Sequence, residues 1–154
     1  MIDLAELERF IVEAKLACYV GDGRRAAASR RGSHDLVHGR GEFAYRDSYF
    51  GGTDFQGQEV VWFGREPIWA MSYSGYVLDP GRIDAARAGV TIKAALAALY
   101  AQGRFLGGFT WSGPHGVYTD TSRGDVGRFT GREWIAVEGV EAYALDYFGG
   151  LIRP

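Results

Sequence analysis

The sequence predicts an α+β fold: an antiparallel sheet meander covered by two helices and closed by a C-terminal β-hairpin. Three observations predict it. Strand-like segments come in runs rather than alternating with helical ones, which favours antiparallel pairing over a doubly wound sheet. Two stretches, near 3–17 and 79–102, carry helical periodicity. The 23 glycines among 154 residues fall mostly between these segments, and the 22 aromatics supply core material. That glycine share is about twice the usual ~7%, so the glycines read as joints between short elements. The length suits a single domain over 1–154 with one core.

The first helix follows from Leu4, Leu7, Phe10, Ile11, Ala14 and Ala17 or Cys18, which recur at steps of three and four. Asp3 is its N-cap, with Glu6 placed for a capping box, and Gly21 and Gly23 stop it. Residues 21–33 form a basic loop carrying Arg24, Arg25, Arg30 and Arg31, suited either to solvent or to an anionic group. Strand signals fill 35–78. Phe43, Tyr45, Asp47 and Tyr49 alternate with the residues between them, the Gly51–Gly57 loop follows, and a turn at Gly64–Pro67 joins 59–63 to 68–78. Asp79-Pro80 opens the second helix, which Gly89 weakens and Gly103 ends. A Gly-aromatic segment spans 103–116. Two or three strands close the chain, the clearest a hairpin of 134–137 and 140–147 about Glu138-Gly139. Tyr-Phe-Gly-Gly occurs at 49–52 and 147–150, but its flanks differ, which reads as two similar strand endings and not as a duplicated domain.

Charge and cysteine usage exclude several classes. With 17 basic against 19 acidic residues the net charge is −2, which argues against direct nucleic-acid binding. The single cysteine, Cys18, makes no internal disulfide and fits a reducing compartment. No apolar run approaches the ~18 residues of a membrane span, and Met1-Ile2-Asp3-Leu4 lacks a signal peptide's basic and apolar regions. A cytoplasmic protein without a membrane partner is the expectation.

The runs Ser29–Leu36, Tyr45–Gly52 and Gly57–Trp62 resemble an uncharacterised bacterial family, catalogued as domain of unknown function 5680. Pro67–Met71, Gly113-Pro114, Gly124-Asp125, Phe129, Gly131, Glu133 and Tyr147–Ile152 extend the resemblance over nearly the whole chain, with 80–110 matching poorly. The resemblance implies a stand-alone protein or the C-terminal part of an Xre-type helix-turn-helix regulator, hence an effector-sensing module. One helix precedes the sheet here, where reading DNA needs a helix pair. The family supplies no catalytic residues, so the chemistry rests on this sequence.

Ser33-His34-Asp35 is not a triad, because in an extended chain His34 points away from both neighbours. His34 and His38 lie about 13 Å apart on a strand, too far to share an ion, so no metal or cofactor is expected. The glycine doublets match neither phosphate- nor dinucleotide-binding patterns. The strongest candidate is 45–59. Tyr45, Asp47 and Tyr49 share a strand face, and Asp54 and Glu59 follow across a glycine-bounded loop. Hairpin pairing would bring Asp47, Asp54 and Glu59 together near its loop end, and close carboxylates push one pKa upward. Trp69, Met71 and Tyr73 share the face of a later strand and complete an aromatic wall.

Three readings follow. In the first, a small-molecule effector site is lined by Tyr45, Asp47, Tyr49, Trp69 and Tyr73, with Arg46 meeting any anionic group. In the second, a hydrolase- or lyase-type enzyme uses Asp47, Asp54 or Glu59 as general acid/base. In the third, a protein-interaction or homodimerisation module uses an edge strand and exposed aromatics.

Overall fold

The computed structural model describes residues 2–21 and 23–154; Met1 and Asp22, the latter within the basic loop expected at 21–33, lie outside the described residues. Helix α1 (Leu4–Lys15) starts as its sequence requires, with the Asp3 carboxylate accepting from the Ala5 N–H at 2.9 Å. It ends in a single π-helical turn, Leu16–Val20, a deviation frequent at functional sites.

The strands are β1 (Arg24–Ala26), β2 (His34–Arg40), β3 (Phe43–Gly51), β4 (Phe55–Phe63) and β5 (Glu66–Val77) before helix α2 (Ala85–Tyr100). After it come β6 (Phe109–Gly113), β7 (Gly116–Asp125), β8 (Arg128–Val137) and β9 (Val140–Leu151). They form one nine-stranded antiparallel sheet in the order β1-β2-β3-β4-β5-β9-β8-β7-β6. The predicted α+β architecture holds. The C-terminal half contributes four strands rather than two or three, because the segment 103–116 contains β6. All four extend the same sheet through the β5–β9 pair. The β8–β9 turn is the two-residue type expected: Glu138 (φ 52°) and Gly139 (φ 79°) both take left-handed backbone.

The second helix begins later than Asp79. The Asp79 carboxylate caps the Gly81 N–H in a local turn, and Asp84 is the true N-cap, accepting from Arg87 N–H at 2.8 Å. The helix runs through Gly89 without a break.

Period-two alternation sends one face of the sheet to the helices. Along β3 to β5 this face carries Phe43, Tyr45, Asp47, Glu59, Val61, Trp69, Met71 and Tyr73, all buried. Helix α1 adds Leu7, Phe10 and Ile11, and α2 adds Ala88, Ala95 and Leu99. One end of the core is aromatic: Trp69 stacks on Phe129 at 5.8 Å and meets Phe105 edge-on at 6.0 Å. None of the described helices is long and apolar enough to cross a membrane.

Candidate functional site

Between the sheet and the two helices lies a cavity of about 720 Å³. Its walls include Phe55, Ile92, Leu96 and Phe105, and its rim runs between the Gly51–Thr53 turn and the exposed first half of α2. Four carboxylates line it, Asp47, Glu59, Asp120 and Glu133, with the ammonium of Lys15 inside.

The β3–β4 register sets Asp47 directly opposite Glu59, both fully buried. Helix α1 projects Lys15 onto Glu59, with Nζ 2.9 Å from Oε1 and 2.8 Å from Oε2. The π-turn brings Tyr19 over both acids, its hydroxyl 3.0 Å from Asp47 Oδ2 and 3.0 Å from Glu59 Oε1. A phenol has one hydrogen, so these two contacts are both satisfied when a carboxyl supplies a second proton. Tyr73 donates to Asp47 Oδ1 at 2.6 Å, and Gly57 beneath its ring leaves the room this needs. Burial, and then the neighbouring Glu59, push Asp47 up to about 7.

The other half of the sheet repeats this arrangement. Tyr45-x-Asp47 on β3 recurs as Tyr118-x-Asp120 on β7. Phe55-x-Gly57-x-Glu59 on β4 recurs as Phe129-x-Gly131-x-Glu133 on β8, and Met71-x-Tyr73-x-Gly75 on β5 as Leu145-x-Tyr147-x-Gly149 on β9. Asp120 lies opposite Glu133, as Asp47 lies opposite Glu59, and the halves meet where Tyr73 pairs with Tyr147. Tyr147 donates to Asp120 Oδ1 at 2.7 Å. Glu133 accepts from Tyr143 at 3.1 Å and from Tyr118. Burial and then Glu133 push Asp120 up to about 7, and burial raises Glu133 as well.

These shifts set the sign of the pH dependence. Asp47 and Asp120 hold protons in the folded state that the unfolded chain releases near its ordinary value of 3.8. Their contribution is full at low pH and is lost as pH rises from about 4 to about 7, on the order of a few kcal/mol for the pair. Asp35 acts oppositely: burial would raise it, but hydrogen bonds from Ser29, Ser33 and Arg46 hold it well below the usual range, so its contribution is lost in acid. Stability is therefore expected to peak near pH 4, and the double variant Asp47→Asn/Asp120→Asn to flatten the fall toward pH 7. Melting temperatures that rise steadily from pH 5 to 8 in the wild type would contradict this.

The structure brings together only part of the set expected from sequence. Asp47, Glu59, Tyr49 and Tyr73 line the cavity. Asp54 does not join the other two acids; it sits on the loop and accepts from the Val77 N–H at 3.0 Å, while Asp47 and Glu59 meet in mid-strand rather than at the loop end. Arg46 points to the opposite face and pairs with Asp35 at 2.7 Å. Of the loop arginines, Arg30 binds Ser48 on that outer face, and only Arg25 reaches the cavity rim. Trp69 is dry core, its indole N–H donating to the Val126 carbonyl at 3.0 Å. Tyr45 is packed behind the cavity wall, its hydroxyl without a hydrogen-bond partner among the described residues.

The family model described as domain of unknown function (DUF5680) matches residues 47–152. The chain belongs to this family. The DUF5680 match takes in all four carboxylates and leaves α1, with Lys15 and Tyr19, outside it. No curated protein and no solved structure matches the chain.

Proposed function

We propose that the chain is a small-molecule (effector) binding module whose ligand enters the cavity between sheet and helices. The observation that carries this reading is the cavity itself. Its volume of about 720 Å³ is that of a ligand site, with apolar and aromatic walls and polar groups converging at one place. A sheet face packed dry on its helices would instead favour an interaction module. The catalytic reading retains one observation of its own: Asp47, pushed up to about 7, borders the cavity, and an acid/base group near neutrality is efficient. Both Asp47 oxygens are engaged by the phenols of Tyr73 and Tyr19, which ties its proton into a static network and favours binding over turnover. Such a module suits a cytoplasmic effector sensor, standing alone or beside a DNA-binding partner.

Gly89 offers a direct test. It lines the cavity from α2, and a Cβ added there meets nothing within 4 Å. Gly89→Ala is expected to stabilise the protein by about 1 kcal/mol through helix propensity, whereas Gly89→Trp places an indole in the cavity. In a thermal-shift screen of metabolites, at least one compound should raise the wild-type Tm and lose its effect on Gly89→Trp, with circular dichroism unchanged. A screen without a stabilising compound, or a stabilisation that survives Gly89→Trp, would sink the reading.

A further inference from the structure

The helices repeat as the strands do, and one position breaks the repeat. Counted from the N-caps Asp3 and Asp84, four pairs fall at equal places and are buried: Leu7 and Ala88, Phe10 and Thr91, Ala14 and Ala95, Cys18 and Leu99. Tyr19 matches Tyr100, and Lys15 matches Leu96. In the first half, then, the carboxylate pair holds an ammonium and a bridging phenol. In the second half the matching helix position is a leucine that lines the same cavity.

The groups around Asp120 and Glu133 are correspondingly open. Tyr19 occupies Asp47 Oδ2, but no donor among the described residues reaches Oδ2 of Asp120, which lines the cavity. The Tyr100 side chain is 5% exposed and lines the cavity among Glu59, Glu133 and Asp120, yet its hydroxyl bonds none of them. The two cations whose charge acts on Asp120 are committed elsewhere. Lys15 sits on Glu59, and the Arg104 guanidinium donates to the carbonyls of Leu106 at 2.6 Å and Gly108 at 3.0 Å. Among the described residues the four buried carboxylates share one buried ammonium, that of Lys15; Lys93 and Arg25 reach the cavity lining from exposed positions.

We propose that the ligand carries a primary or secondary ammonium that docks on Asp120 and Glu133, doing in the second half of the sheet what Lys15 does in the first. This rests on the ligand-site reading above and adds the ligand's charge and position. The ammonium would donate to Asp120 Oδ2 and to a remaining lone pair of Glu133, with the Tyr100 hydroxyl as a further acceptor. The apolar walls, Leu96 and Phe105 among them, would take a hydrocarbon or aromatic body.

The test uses three probes of one shape and different charge: phenethylamine, phenethyl alcohol and hydrocinnamate. Calorimetric titration at pH 8 should show binding of the amine alone. Asp120→Asn should weaken it about tenfold or more, as loss of a hydrogen bond to a charged group does. Leu96→Lys should abolish it by supplying the missing ammonium from α2, and Asp54→Asn, outside the cavity, should leave it unchanged. Circular dichroism checks that each variant is folded, and Leu96→Lys keeps the test decisive if Asp120→Asn is not. Binding of the alcohol or the acid as tight as the amine, amine binding indifferent to Leu96→Lys, or no binding of any probe would overturn the proposal. In the last case, neutral or anionic stabilisers found by the wider screen and blocked by Gly89→Trp would leave the ligand-site reading standing.

Discussion

Replacing Lys15 by Met is expected to cost about 3–5 kcal/mol of stability at pH 8, the range for breaking one partner out of a buried ion pair. The side chain is 3% exposed and Glu59 is 0% exposed, so the pair is buried. Methionine keeps most of the volume and the contacts to Phe105 and Met71, which isolates the charge from the packing. What remains is a buried carboxylate beside Asp47 with only the Tyr19 hydroxyl to support it. Protonation of the neighbouring Asp47, raised to about 7, eases the repulsion between the two carboxylates, so the cost should shrink at pH 5. The double variant Lys15→Met/Glu59→Gln should recover most of the loss, because replacing both partners leaves no uncompensated charge. Urea unfolding at the two pH values measures all three quantities. A loss below about 1 kcal/mol at pH 8 would be the value of a surface pair and would contradict the buried geometry.

Gly131→Ala should strongly destabilise the sheet through a side-chain overlap. Gly131 lies under the Tyr147 ring, and a Cβ there would overlap the ring and its hydroxyl oxygen. The ring cannot retreat without giving up its 2.7 Å bond to Asp120. Overpacking costs about 1–3 kcal/mol and a lost hydrogen bond to a carboxylate about 1.5–3 kcal/mol, so a drop of about 3 kcal/mol is expected in chemical unfolding. Gly57→Ala, the equivalent change beneath Tyr73, should behave alike. Adding Tyr147→Phe to Gly131→Ala should not restore stability, because it leaves the overlap with the ring in place. A neutral Gly131→Ala would mean that Tyr147 does not sit where it meets Asp120.

Local pattern made much of the architecture legible. The capped amphipathic repeat of α1, the alternation of Phe43 to Tyr49, and the Glu138-Gly139 turn each specify their element without tertiary help. Side-chain parity also placed Asp47 with Tyr49 on one strand's face and Tyr73 with Met71 on another's. The second carboxylate pair escaped that reading, although its signal is present in the spacing of Tyr118-x-Asp120, Phe129-x-Gly131-x-Glu133 and Leu145-x-Tyr147-x-Gly149. The contiguous string Tyr-Phe-Gly-Gly distracts from it. Residues 49–52 end β3 whereas 147–150 lie within β9, so the two copies are not equivalent positions. An alternating pattern, with every second residue facing solvent, is the form a repeated sheet face takes, and contiguous identity does not detect it. Lys15 was hidden for a different reason. A lysine beside an apolar stripe reads as solvated, and only the fold shows that Glu59 waits beneath it. Asp54 and Trp69 had the right residue types, but the Val77 amide at the end of β5 claimed one and the aromatic core the other.

Carboxyl-carbon NMR of the wild-type protein during a phenethylamine titration reads the central claim most directly. If the cavity is a ligand site whose open half is Asp120 and Glu133, their carboxyl resonances should shift in a saturable way. The Asp120 titration midpoint, starting from about 7, should move down as the ammonium stabilises its charged form. Asp47 and Glu59, already served by Lys15 and Tyr19, should move far less. Movement confined to Asp47 and Glu59, or no movement of any cavity carboxylate at saturating amine, would contradict the account.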